Sequence, residues 1–404
     1  MRSLFCFNIL KLKGDVKVWM WRPVNHFTSW RFFMRSFLAS LYLAGLLLLH
    51  FSTTHAQSDS KTTLGGYGEL HYNEPDGSKR GVLDFHRFVL YIGHNFNEKI
   101  SFRSEVELEH TLVDPGKGGE ISIEQAFLDY QIIPSFGVRA GILLPPVGLI
   151  NLYHEPPTFN GVERPNVDRV IIPTTWREAG AGVYGTPGEQ FRYQVYVVGG
   201  LKAEGFSASD GLRGGRQKAL ESNPANPSIT GRVDYSPALG LQLGGSFFAG
   251  GATADKDSIG EPSVALWSGD VRYQIDEFSF RAEGAIATIS DADRLNAKIK
   301  KNVADKIFGY YIEGAYNFLP LICPESEQEL HFFARYEKYN TQAATTGFAV
   351  QSQFNRNDVV LGLTYKPTYN TACKFDYTFL NNELNSGTNK NTKQLNLGIG
   401  YYFN

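Results

Sequence analysis

The sequence predicts an all-β protein, specifically a 16-stranded antiparallel transmembrane β-barrel whose third long connection folds inward. Three observations predict it. Apolar and polar residues alternate with period 2 almost without interruption from Thr63 onward. Most alternating segments run ten to thirteen residues, enough to cross a bilayer when tilted, whereas soluble strands average about five or six. Short connections alternate with long ones along an even number of segments, which an outer-membrane barrel requires and a soluble sandwich has no reason to show.

The segments follow in order. Strands 63–72 and 82–95 flank a long connection, 73–81, and a short turn at Asn97 leads to 98–109. In KISFRSEVELE (99–109), Ile100, Phe102, Val106 and Leu108 take one face, and Lys99, Arg103, Glu105, Glu107 and Glu109 the other. The long 110–119 precedes strand 120–132, and Ile133-Pro134-Ser135 turns the chain into 136–144. The longest connection, 145–175, separates this strand from 176–186, and Pro187-Gly188-Glu189 leads into 190–201. Strands 228–236 and 240–250 follow the long 202–227 and join through Pro237-Ala238-Leu239. Strands 263–275 and 277–289 follow 251–262 and join at Asp276; 306–319 follows 290–305. Only 320–328, before strand 329–339, is longer than a tight turn where a short one is expected. The long 340–355 and 382–391 then bracket strands 356–367 and 371–381, and 392–404 closes the chain.

In the clearest strands the apolar register carries no charge, as in FRYQVYV (191–197), FSFRAEGAI (278–286) and LNLGIGYYF (395–403). Each lipid-facing charge near the midplane costs ~2–4 kcal/mol, so reversing 99–109 alone would cost on the order of 10 kcal/mol. Strands heading for the short turns end in Phe96, Tyr130, Tyr235, Tyr273, Phe318, Tyr365 and Tyr401/Phe403, the aromatic ring expected at a membrane interface.

Composition agrees. The 404 residues include 41 Gly, 21 Tyr and 29 Phe but only three Cys, which excludes a disulfide scaffold and a Cys-rich zinc module. One stretch approaches the length of a spanning helix, MRSFLASLYLAGLLLLHFSTTHAQS from Met34. Arg35, the apolar run Phe37–Phe51 and the Thr54-His55-Ala56 cleavage site make it a secretory signal peptide. The expected organisation is an upstream extension at 1–33, with translation starting at Met34, a signal at 34–56 and an outer-membrane barrel domain at 57–404. The mature chain then carries 32 basic and 40 acidic residues, which argues against nucleic acid as a partner.

The polar register assigns Lys99, Arg103, Glu105, Glu107, Arg139, Arg192, Arg232, Asp234, Asp270, Arg272, Arg281, Glu283, Glu313, Arg335, Glu337, Lys374 and Asp376 to the pore lining. Nine basic against eight acidic side chains are too costly to close into a dry core, so a water-filled channel is expected. Connection 145–175 holds six prolines and is too apolar for an exposed loop. Packed against the inner wall, it would constrict the pore, with His154, Glu155, Glu163, Arg164, Asp168 and Arg169 in the narrow zone.

The runs VRAGILLPPVGL (138–149), FNGVERP (159–165) and WREAGAGVYG (176–185) resemble the phosphate-selective porin O/P family. LDFHRFVLYIGHNF (83–96) is similar to that family's basic second strand, with Arg87 at the matching place. The resemblance implies a sixteen-stranded, trimeric porin whose third loop narrows the pore, and adds Arg87 to the lining. The family's arginine ladder and lysine cluster are not reproduced, because the lumenal bases are matched by acids.

Lys202, Arg213, Arg216 and Lys218 in 202–227 are candidates for concentrating anions at the mouth. RLNAKIKKNV (294–303) is expected to form a short helical turn bearing Lys298, Lys300 and Lys301. Cys323 and Cys373 fall near short turns and are candidates for a disulfide. There is no HExxH, CxxC, P-loop or GxSxG, so no catalytic residue, cofactor or metal is expected. The expected function is passive diffusion of small hydrophilic solutes or ions across the bacterial outer membrane. The alternatives are an anion- or phosphate-selective channel and, from other classes, an outer-membrane hydrolase or a non-conducting structural barrel.

Overall fold

The computed structural model describes residues 61–77, 80–110, 113, 118–220, 226–252 and 259–404. The extension at 1–33 and the signal at 34–56 lie outside the described residues.

Sixteen strands form where the alternation places them. They are β1 (Thr62–Pro75), β2 (Val82–Asn95), β3 (Ile100–Glu109), β4 (Glu120–Ile133), β5 (Phe136–Leu143), β6 (Glu178–Gly185), β7 (Phe191–Gly199) and β8 (Pro227–Ala238). They continue as β9 (Leu241–Gly251), β10 (Ser263–Ile275), β11 (Phe278–Ile289), β12 (Lys306–Asn317), β13 (Glu329–Ala344), β14 (Asn355–Thr368), β15 (Thr371–Asn382) and β16 (Thr392–Phe403). Each pairs antiparallel with its neighbours, and β1 pairs with β16 from Gly66↔Phe403 to Pro75↔Gln394, closing the sheet into a barrel. Closure leaves no unpaired edge, the condition for backbone to cross hydrocarbon.

The outward face is a continuous apolar surface. Leu64, Leu128, Val197, Trp267, Phe332 and Ile399 are all exposed, which is stable against lipid and not against water. Phe191 stacks on Tyr235 at the short-turn end with ring centroids 4.6 Å apart.

Two of the register shifts in the sheet fall on β2 and β4. His86 is an extra residue on β2, between the pairs Glu69↔Arg87 and Leu70↔Phe85. Glu124 is an extra residue on β4, between Glu105↔Gln125 and Val106↔Ile123. Each bulge sends two neighbouring polar side chains inward, a common way of re-aiming residues beside a site.

The connection between β5 and β6 folds into the barrel, carrying the short helix α1 (Val167–Val170). Its Val147, Val167, Val170, Ile171, Ile172 and the adjoining Trp176 pack against Tyr196, Phe248, Leu266, Ile307, Tyr311 and Tyr339 of the inner wall. This dry contact explains why the connection is so apolar. A second helix, α2 (Ala292–Ile299), lies in the connection predicted to be helical, with Leu295 and Ile299 packed into the same cluster.

The expected disulfide does not form; Cys323 and Cys373 are free thiols. Cys373 is on β15, opposite Tyr365 of β14, while Cys323 lies beyond a 3-10 turn, Leu319–Leu321, in the β12–β13 connection. Strands β13 and β14 intervene, and crossing two strands spans about 10 Å, beyond the ~7 Å that a disulfide tolerates between Cα atoms.

Candidate functional site

The folded-in connection is held by carboxylates of the wall. Asp376 accepts the Val162 N–H at 2.7 Å, Glu337 the Val167 N–H at 3.3 Å, and Glu283 the Leu149 N–H at 3.2 Å. Glu313 accepts from the Asn160 side chain at 3.0 Å and Asp358 from Asn166 at 2.9 Å. In return Arg232 donates to the Gly148 carbonyl and Arg335 to the Glu163 carbonyl, both at 3.2 Å. A loop has backbone groups that no sheet partner satisfies, and a charged wall supplies the missing acceptors and donors.

This changes the reading of the lining. Arg232, Asp234, Asp270, Glu283, Glu313, Arg335, Glu337, Lys374 and Asp376 lie beneath the folded-in connection, buried rather than bathed in water. They neutralise one another beneath the loop. Arg232 bridges Asp234 and Asp270 at 2.7 Å each. Arg335 bridges Glu337 at 2.9 Å and Glu313 at 3.4 Å, and Arg281 reaches Glu313 at 3.3 Å. The Lys374 ammonium sits 3.8 Å from the Phe159 ring centroid.

Arg87 pairs with Glu69 at 2.6 Å and Glu107 at 3.2 Å. Arg139 pairs with Asp129 at 2.6 Å, Glu105 accepts from Gln125, and Arg272 donates to Gln242. Arg103 and Arg192 are exposed toward the short-turn end, and Lys99 sits in the turn before β3 rather than on it.

The six residues expected in the narrow zone divide. Glu163 and Arg169 are exposed and Arg164 is partly so; all three line a cavity of ≈ 750 Å³ between the loop and the wall. Glu155 is half-buried and accepts from Tyr91 at 3.3 Å. His154 and Asp168 are buried and do not line that cavity. His154 anchors the loop to the bulge, with Nε2 3.2 Å from Glu124 and Nδ1 3.2 Å from the Asn151 carbonyl. Burial pushes its pKa down, but the facing Glu124 outweighs this and raises it to about 9. The Asp168 carboxyl is pushed well up by burial and by Glu283 and Glu337 nearby.

The cavity lies against β1, β2 and β13–β16, and its cationic rim comes partly from the 202–227 connection. Arg213 and Arg216 both donate to the Thr174 carbonyl, and Arg216 to that of Thr175 at 2.6 Å. Arg356 donates to the Ser209 carbonyl at 3.0 Å. These three guanidiniums are spent on neutral acceptors. Burial and then Arg216 lower the Arg213 pKa to about 9, and burial and then Arg177 lower that of Arg216 to about 10. Lys218 instead pairs with Glu120 at 2.8 Å.

Sequence reasoning missed Glu69, His71, Glu124 and Asp358, all inward and buried. A signal for Glu124 was present. The outward register runs through Ile121 and Ile123, then resumes at Leu128 and Tyr130. That odd-to-even switch requires one extra residue. Leu83 and Ile92 report the same switch on β2.

A model of the family described as phosphate-selective porin O and P matches residues 65–404. An uncharacterized protein of Aquifex aeolicus is 39% identical over 329 residues, covering 78% of this chain and 74% of its own. Among solved structures, the Salmonella typhi OmpF complex with daunomycin is similar at a TM-score of 0.57 and 11% identity, covering 85% of this chain and 97% of that one. The outer membrane channel DcaP of Acinetobacter baumannii gives 0.56 and 11%, covering 85% and 97%. An anion-selective porin from Comamonas acidovorans gives 0.55 and 13%, covering 85% and 99%.

Proposed function

The chain belongs to the phosphate-selective porin O and P family, and from that premise we propose that this outer-membrane porin passes small hydrophilic solutes by passive diffusion, its size limit set by connection 145–175. The observation that carries the reading is the position of that connection. It fills one side of the lumen with apolar packing and leaves a polar cavity against β1, β2 and β13–β16. Diffusion through such a space needs no covalent step, and its selectivity follows from radius and wall charge. The mature protein, refolded and added to a planar bilayer, should give discrete conductance steps; a silent bilayer with correctly folded protein defeats the proposal. A homotrimer is part of this reading and is checked by the mass of the detergent-extracted particle.

The rim arginines favour a second reading, in which the channel prefers anions. Arg213 and Arg356 place fixed positive charge beside Arg164 and Arg169 on the cavity, without a carboxylate held to either of the first two among the described residues. In a KCl gradient the reversal potential should then indicate chloride preference, and Arg213→Ala with Arg356→Ala should move it toward zero. A reversal potential near zero in the unaltered protein leaves the unselective reading.

A further inference from the structure

Three donor side chains converge at the long-connection end of the barrel. Asp84 and His86 are on β2, and His110 follows the last residue of β3. Asp84 Oδ2 lies 2.8 Å from His110 Nδ1 and 3.2 Å from His86 Nδ1. One donor atom from each residue falls within 4.8 Å of the other two. A four-coordinate ion bound at about 2.0–2.1 Å holds its ligands roughly 3.3 Å apart, so the donors already stand near coordination spacing. All three side chains are partly exposed, so an ion reaches them from solution.

The backbone is shaped around this group. The β2 bulge inserts His86 and turns it inward with Arg87. His110 takes a left-handed φ of 55° and donates its N–H to the His86 carbonyl at 3.2 Å, bringing its ring back over β2. His71 lies flat on His86, with centroids 4.8 Å apart and an interplanar angle of 10°. His71 is itself held by Glu69 at 3.1 Å and Glu163 at 3.2 Å, which fixes the orientation of the stacked pair.

We propose that Asp84, His86 and His110 bind a divalent first-row transition ion, with zinc as the reference, at the rim of the vestibule. Two imidazoles and one carboxylate favour zinc, cobalt, nickel or copper over calcium and magnesium. Binding through Nδ1 requires only that each imidazole keep its hydrogen on Nε2, so the bonds that Asp84 now accepts are exchanged for bonds to the ion. Three protein ligands leave a position open to water or to a passing anion. The ion ties β2 to the start of the β3–β4 connection and adds positive charge to the cavity edge. None of this depends on the transport reading.

The test is calorimetric titration of the untagged, refolded mature protein with Zn2+, alongside the visible spectrum of the Co2+ form. One ion per chain is expected, undisturbed by excess Mg2+. His86→Ala and His110→Ala should each weaken binding by about 10–100-fold or more, Asp84→Asn should weaken it less, and His94→Ala should leave it unchanged. Heat-dependent gel migration verifies that each variant is a folded barrel. Equal affinity in folded His86→Ala and His110→Ala, or a preference for Mg2+, overturns the proposal. Loss of binding in His154→Ala alone also overturns it, because the ion would then belong to the buried Glu105, Glu124 and His154 group.

Discussion

His154 shows how one side chain converts a loop into part of a wall. Its imidazolium faces Glu124, which is fully buried on the β4 bulge. Removing one partner of a buried pair strands the other charge and typically costs about 3–5 kcal/mol. His154→Ala should therefore loosen 145–175 without unfolding the barrel, seen as faster amide exchange in that segment and noisier channel current. The pH dependence follows from the raised pKa. A histidine whose pKa rises from 6.5 to about 9 on docking contributes its full stabilisation below pH 6.5 and loses it as pH rises through 9. Protection factors within 145–175, which remove the base-catalysed intrinsic rate, should thus fall as pH rises from 6.5 through 9 in the unaltered protein and show no such step in His154→Ala. Nothing about His154 in isolation announced this role, since its partner is 30 residues away and becomes visible only once the β4 register switch is recognised.

For the inward connection, apolar packing and charge-assisted hydrogen bonds act together. Each bond from a loop N–H to a wall carboxylate contributes about 1.5–3 kcal/mol. Replacing two of the acceptors, Glu337→Leu with Asp376→Leu, should release the centre of the loop and raise single-channel conductance. Glu337→Gln with Asp376→Asn retains an acceptor oxygen at each site and should change it much less. Gly400 is an independent probe, because a Cβ there would run into Pro156; Gly400→Val should displace the same loop from the other side. An unchanged conductance in both the double leucine variant and Gly400→Val would mean that the loop does not set the size limit. The inward fold was legible from the six prolines and apolar content of 145–175. The identity of its anchors was not, because Val162 and Asp376 are 214 residues apart and no local period relates them.

For the barrel as a body, the solvent on each face sets the tolerance to charge. Val197→Arg, on the exposed apolar register, should cost about 2–4 kcal/mol in refolding experiments in lipid vesicles. Thr378→Arg, at the edge of the vestibule, should fold with little loss and alter ion selectivity instead. Thiol labelling of the unreduced mature protein should count two reactive cysteines, Cys323 and Cys373, as their separation by two strands requires.

Strand number, strand direction and the sorting of connections were readable directly, because which face meets hydrocarbon is encoded in every second residue and needs no distant partner. The fate of the lumenal charges was not readable in that way. Alternation states that Glu283, Glu337 and Asp376 point inward, yet it is silent on whether water or backbone meets them there. That depends on where a proline-stiffened segment docks, on two single-residue bulges that redirect His86 and Glu124, and on a second connection that brings Arg213 and Arg216 beside Thr174. Each of these contacts joins residues far apart in the chain, so it exists only once the barrel has closed around them.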